Sequence, residues 1–184
     1  MQHIEIVLTG QTPLIINRFH EDAQAEATSG THSRKQDRPS PEDDAFSRLY
    51  AHPDGSTYFP AENLRQSVIA AASRHKIGRR AASGDVAAAL YIEPHAMPLL
   101  GEWHVDSRPV VIPATRGRLL RHRPMFDEWK IEAILQVDER LVDISLLRKC
   151  LNDAGDYVGI GDFRPQRKGP YGRFRVDHWQ IVKD

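Results

Sequence analysis

Residues 126–137 read "FDEWKIEAILQV", in which Trp129, Ile131, Ala133, Leu135 and Val137 fall on one side of an extended chain and Glu128, Lys130, Glu132 and Gln136 on the other. Successive side chains of a strand point to opposite faces, so this stretch requires a sheet with one face covered and one face wet. The cover is written nearby. "DISLLRKCLNDAG" sets Ile144, Leu147, Cys150 and Leu151 on one face of a helix, with Gly155 as the expected stop. The same change of period occurs earlier in the chain. "HIEIVLTG" alternates Ile4, Ile6 and Leu8 against His3, Glu5 and Thr9. Pro60 then opens a helix to about His75, with Leu64, Val68, Ala71 and Ala72 along one face.

The remaining apolar patterns complete the series. "DVAAALYIEP" predicts a short helical piece and a strand, and "PVVIP" a further short strand. Pro53-Asp54-Gly55 is a turn signal. "GRFRVDHWQIV" is the last strand, and its alternation breaks between Val176 and Trp179, which predicts a bulge. Strand, helix, strand, strand, helix, strand is the βαββαβ order of an α+β, ferredoxin-like or RNA-recognition-type domain. Residues 20–44, "HEDAQAEATSGTHSRKQDRPSPEDD", offer almost nothing to bury and read as a flexible insertion in one domain spanning 1–184.

Composition excludes several function classes. One cysteine, Cys150, leaves no internal disulfide and no thiolate metal cluster, which fits a reducing compartment. The first residues lack a signal peptide's pattern, and no apolar run reaches the length of a membrane span, so a cytoplasmic protein without membrane contact is expected. No phosphate-cradling P-loop, G-x-S-x-G or H-E-x-x-H occurs, and no cofactor or metal is expected. Lys plus Arg equals Asp plus Glu at 25 each, so total charge predicts no partner, but its distribution does. Residues 124–157 hold eight acids against four bases. "PATRGRLLRHR", residues 113–123, holds Arg116, Arg118, Arg121 and Arg123 without an acid. "GIGDFRPQRKGPYGRFRV", residues 159–176, gathers four glycines and five basic residues around one acid.

Glycine lets backbone N–H groups approach a phosphate, and arginine adds a bidentate fork. The second basic stretch therefore reads as a loop gripping a nucleic-acid backbone through Arg164, Arg167, Lys168, Arg173 and Arg175, with Phe163 and Tyr171 available to stack on unpaired bases. The first reads as a flexible phosphate clamp or as a surface loop paired with the acids that follow it. Arg74, Lys76, Arg79 and Arg80 after the first helix extend the groove or solubilise a connection. Asn63 and Arg65 stand at the start of the first helix, whose N-terminus favours anions.

Three stretches, in order, resemble the RAMP superfamily of CRISPR-associated proteins. "LTGQTPLIINR" (8–18) is similar to its opening strand and turn, "TYFPAENLRQSVIAAA" (57–72) to its strand–proline–helix segment, and residues 159–176 to its glycine-rich loop before the last strand. Glu62, Asn63 and Gln66 depart from the small residues and glycine usual there. The proline-to-helix segment resembles the backbone-subunit branch and also short stand-alone proteins of phages and mobile elements. The resemblance implies a non-catalytic protein that binds single-stranded RNA, such as a guide RNA, beside copies of itself and other CRISPR effector subunits. It also implies a thumb-like role for the 20–44 insertion, against which stands an idle loop. A single-stranded DNA binding or annealing protein, and a RAMP-type endoribonuclease, are the alternatives.

Enzymatic routes rest on fewer residues. Asp106, Glu128 and Lys130 resemble the PD-(D/E)xK nuclease layout. His20, His52 and His75 are the candidate general acids or bases of a metal-independent ribonuclease, and Asp43, Asp44 and Asp54 the candidate loop aspartates of a target-cutting subunit. Asp54 is equally a turn residue, and "PEDD" equally the start of a helix through Phe46 and Leu49. The main reading carries none of these. Binding is expected to be steeply salt-dependent and only weakly sequence-specific.

Overall fold

The computed structural model describes residues 1–18, 39–111 and 118–182. The strands are β1 (Gln2–Gly10), β2 (Leu14–Ile15), β3 (Tyr58–Pro60), β4 (Lys76–Ile77), β5 (Arg80–Ala81), β6 (Leu90–Glu93), β7 (Ala96–Leu100), β8 (Trp103–Val111), β9 (Arg118–Phe126), β10 (Lys130–Val137) and β11 (Phe174–Val182). The helices are α1 (Pro41–Ser47), α2 (Ala61–Ala72), α3 (Ser83–Ala89) and α4 (Ile144–Asp153).

The main sheet runs β11-β1-β10-β7-β3, with β6 also pairing β10, and every recorded pairing is antiparallel. Read through β1, α2, β6, β10, α4 and β11, this is the ferredoxin-like arrangement, with β10 between β1 and β6 and β1 between β10 and β11. The alternation of β10 holds: Trp129, Ile131, Ala133, Leu135 and Val137 are buried, as are Ile4, Ile6 and Leu8 opposite them. On α2, Leu64, Val68, Ala71 and Ala72 are buried, and on α4 Leu147, Cys150 and Leu151. Each large apolar side chain buried this way contributes roughly 1.5–3 kcal/mol. Asp143 caps α4 by accepting from the N–H groups of Ser145 and Leu146. The bulge sits where alternation fails: Val7 pairs with His178 and Leu8 with Val176, leaving Asp177 as the extra residue of β11.

The open face of the sheet is acidic. Glu5, Glu93, Glu132 and Asp177 outnumber Lys130 and Arg175, and Arg175 is already paired with Asp177 at 2.6 Å.

Several expectations require correction. The helix through Cys150 does not stop at Gly155. It continues as one wide turn over Ala154–Val158 and ends at Gly159, whose φ is +72°. Gly155 is there for closeness: a Cβ on it would lie 2.0 Å from the carbonyl oxygen of Phe174. Residues 41–44, expected to close the insertion, instead form the first turn of α1, capped by Ser40 Oγ accepting from Asp43 N. Residues 20–38 of that segment, with its proposed thumb role and His20, lie outside the described residues. Residues 109–111 of the expected short strand "PVVIP" belong to a nine-residue strand, β8, and the other two lie outside the described residues. Its partner β9 contains Arg118, Arg121 and Arg123, so these arginines are held on a strand and not in a flexible clamp. Their neighbour Arg116 lies outside the described residues. The turn at Asp54 is as expected, its carboxylate accepting from Ser56 N and Oγ.

Candidate nucleic-acid interface

The three sequence stretches that carry the family resemblance meet in space. Gln11 N donates to Arg173 O at 2.8 Å, Gly172 N to Pro13 O at 2.8 Å, and Asp162 N to Ile15 O at 2.8 Å, so the glycine-rich loop is laced to the chain leaving β1. From the other side Ser67 of α2 donates its hydroxyl to Gly159 O at 2.9 Å. Gly172 cannot be replaced here: its φ is +70°, and a Cβ would meet Ile160 O at 1.8 Å. The result is an open cleft of about 800 Å³ between α2 and the loop. Asn63, Gln66 and Ser73 line one wall, Asp162, Arg164, Gln166 and Arg167 the other, and Asn17 and Tyr50 one end.

The loop is pre-shaped and electrostatically tense. Phe163 and Lys168 adopt φ of +50° and +63°, which for non-glycine residues costs on the order of 1–3 kcal/mol each. Arg164 donates to Gly161 O at 2.9 Å and to Gln166 Oε1 at 3.0 and 3.1 Å. Partial burial, and then the neighbouring charge of Arg167, push the Arg164 guanidinium below its ordinary pKa, with Asp162 opposing. A cation short of water and beside another cation gains when an anion enters. Arg167, Lys168 and Arg173 are exposed.

Arg123 is a different matter. It is 3% exposed, so it cannot reach a ligand. Its Nη1 donates to Asp162 Oδ2 at 2.6 Å, its guanidinium covers the Phe163 ring at 4.7 Å, and Nη2 stands 4.0 Å from Asp106 Oδ2. It fastens β9 to the loop. Arg108 repeats the motif one step along, bonded to Asp106 at 2.8 Å and lying 4.7 Å from the Tyr171 ring. Phe163 and Tyr171 are therefore half-buried with one face taken by a guanidinium. Arg121 lies opposite Arg108 in the β8–β9 ladder, on the side turned to the loop, and Arg118 is exposed farther along β9.

Arg65 also leaves the expected set. Its side chain donates to Leu90 O at 3.0 Å and to Ala87 O, tying α2 to α3 and β6 on the side of the helix away from the cleft. Asn63 lies in the cleft and shares a side-chain hydrogen bond with Tyr50, whose hydroxyl pKa is raised mainly by burial. At the helix N-terminus Ala61 N donates to His95 O at 2.9 Å, so that N–H is taken. Asn17, Gln66, Tyr50 and Gln166 were missed as site residues. Asn17 was within reach of sequence reasoning, because it sits in "LIINR" just before the basic residue that ends that stretch.

Several of the catalytic candidates are engaged with other groups. Asp106 is held by Arg108 and Arg123, and no group of three or more His, Cys, Asp or Glu is arranged as a metal site among the described residues. His75 pairs with Asp153 at 2.9 Å, and His52 packs on Tyr58. Asp44 is paired with Arg48 at 2.9 Å, and Asp43 accepts from Ser40 Oγ in the cap of α1. Arg74 lies over Tyr157 at 4.6 Å, and Lys76, Arg79 and Arg80 fall on or beside the small β4–β5 hairpin. Among the described residues no helix is long and apolar enough to cross a membrane.

No family model and no curated protein matches the chain. Among solved structures it is similar to a chain in the cryo-EM structure of the Type III-B Cmr-beta bound to cognate target RNA, with a TM-score of 0.60 and 10% identity over 99% of its length. It spans 61% of the length of that chain. At this identity the likeness is one of fold.

Proposed function

We propose that this protein is a RAMP-like, single-domain, cytoplasmic protein that binds single-stranded RNA without cutting it. Copies assemble side by side along the strand, as backbone subunits of a CRISPR effector do. The observation that carries this reading is the convergence of the three RAMP-like stretches on one polar cleft lined by Arg164 and Arg167, with the exposed Lys168 next to them in the loop. The likeness of fold to a chain from an RNA-bound Type III-B Cmr-beta structure supports it. Arg121 and Arg173 extend the basic rim, Arg118 stands on the opposite face of β9, and Phe163 and Tyr171 supply one ring face each. Arg123 and Arg65 hold the scaffold and contact no ligand.

The reading is tested by releasing whatever nucleic acid co-purifies with the protein at low salt and digesting it separately with RNase and DNase. RNase-sensitive material of uniform length is expected. DNase-sensitive material assigns the same rim to single-stranded DNA, as in a phage or mobile-element annealing protein. Nothing released, together with no retention of added oligonucleotides, removes nucleic acid as the partner.

A further inference from the structure

The walls of the cleft are richer in amides than in cations, and the amides are oriented. Asn17 Oδ1 accepts from Arg48 Nη1 at 3.2 Å, so its NH₂ group is turned outward. Gln166 Oε1 accepts both contacts from Arg164, which likewise leaves its NH₂ group to donate. Gln66 is fixed in the opposite sense: its Nε2 donates to Glu62 Oε1 at 2.6 Å, leaving Oε1 as an acceptor. Among the described residues these outward ends have no protein partner. In each case an internal bond sets which end of the amide faces the cleft.

This mixture is wrong for a phosphate. A phosphate diester presents acceptors only, so a wall built for it carries donors only. An outward acceptor such as Gln66 Oε1 rewards a ligand with its own donors, which in an RNA strand are the base N–H groups and the ribose 2′-OH. Only a base edge presents such a donor together with several acceptors, to match one outward oxygen and two outward NH₂ groups. The cleft volume of about 800 Å³ is ample for a nucleotide turned inward.

We propose that the cleft reads the hydrogen-bonding edge of an unpaired nucleobase, through Gln66 as acceptor and Asn17 and Gln166 as donors, while Arg167 on its wall and Lys168 next to it in the loop hold the adjoining phosphates. This rests on the nucleic-acid reading and adds base preference to it, where the sequence alone predicted weak specificity.

The test is fluorescence anisotropy with short homopolymers of A, C and U. The expected result is a spread of affinities of about tenfold between the best and the worst base, the scale of one good amide–base pairing. In the double variant Gln66→Met with Asn17→Ala, the best binder falls to within about twofold of the worst. These two side chains are exposed, and a thermal melt of the variant confirms that it is folded. Homopolymers that bind the unaltered protein within about twofold of one another overturn the base-reading proposal alone and leave the backbone grip standing. If no homopolymer binds, the nucleic-acid reading fails and this proposal fails with it.

Discussion

Removing the buried guanidinium of Arg123 tests whether the β8–β9 hairpin and the glycine-rich loop form one mechanical unit. Arg123→Met keeps most of the apolar stem and removes the charge. The loss begins with a charge-assisted hydrogen bond to Asp162, worth about 1.5–3 kcal/mol, and a cation–π contact with Phe163, worth about 0.5–2 kcal/mol. Two features reduce it. Asp162 is 32% exposed, so water recovers part of its solvation. Arg123 Nε and Nη2 make no hydrogen bond in the folded protein, so their removal relieves a desolvation cost. The expected net destabilisation is about 2 kcal/mol, which for a chain of this size lowers Tm by roughly 4–8 °C.

The double-mutant cycle with Asp162→Asn isolates the pair, and a coupling of at least about 1 kcal/mol is expected from urea unfolding. Oligonucleotide affinity falls as well, although Arg123 is buried, because Phe163 at φ +50° and the loop around it lose their fastening. A coupling below about 0.3 kcal/mol, or a Tm unchanged by Arg123→Met, refutes the clamp.

Three further outcomes are expected. Arg167→Ala and Lys168→Ala each flatten the dependence of log K on log salt by about 0.7, the value for one phosphate contact on a single strand, as anisotropy across a salt series will show. Arg65→Ala lowers stability by about 1–2 kcal/mol through its lost carbonyl contacts and leaves that salt slope unchanged, read by melting and anisotropy on the same sample. Cys150 is fully buried with its thiol pushed up to about 11 by desolvation, so Ellman's reagent will not label it at mildly alkaline pH until denaturant is added.

What the sequence revealed follows from which interactions are local. The period of "WKIEAILQV", the face of α2 and the failing alternation around Asp177 are decided by the nearest neighbours in the chain, and they are as the residues imply. The glycine-rich loop was legible for the same reason. Arg123 and Arg65 were misread because their partners are distant in sequence: Asp162 lies 39 residues from Arg123, and Leu90 lies 25 from Arg65. An arginine on paper is a phosphate ligand or a buried tie, and only the fold distinguishes them. The amides of the cleft carry no sequence signature, since Asn17, Gln66 and Gln166 gain meaning only from the internal bonds that orient them.

The same reasoning bears on which face of the domain meets its ligand. RNA-recognition domains use the open face of their sheet, where aromatic side chains stack on bases. Here that face carries Glu5, Glu93, Glu132 and Asp177, and its one aromatic near the β6 edge, Tyr91, is bonded to His95 at 2.8 Å. With Asp177 paired to Arg175, three glutamates against Lys130 leave this face net negative, which repels a phosphate backbone. Positive charge is concentrated instead on the loop between the wide turn after α4 and β11, where the only acid, Asp162, is occupied by Arg123. A chain whose charges sum to zero thus has one net negative face and one net positive edge, and the proposed ligand fits the second. The Asp162–Arg123 pair keeps these apart: without that arginine the aspartate would place a free negative charge inside the basic rim, and the loop would lose its fastening and part of its positive charge.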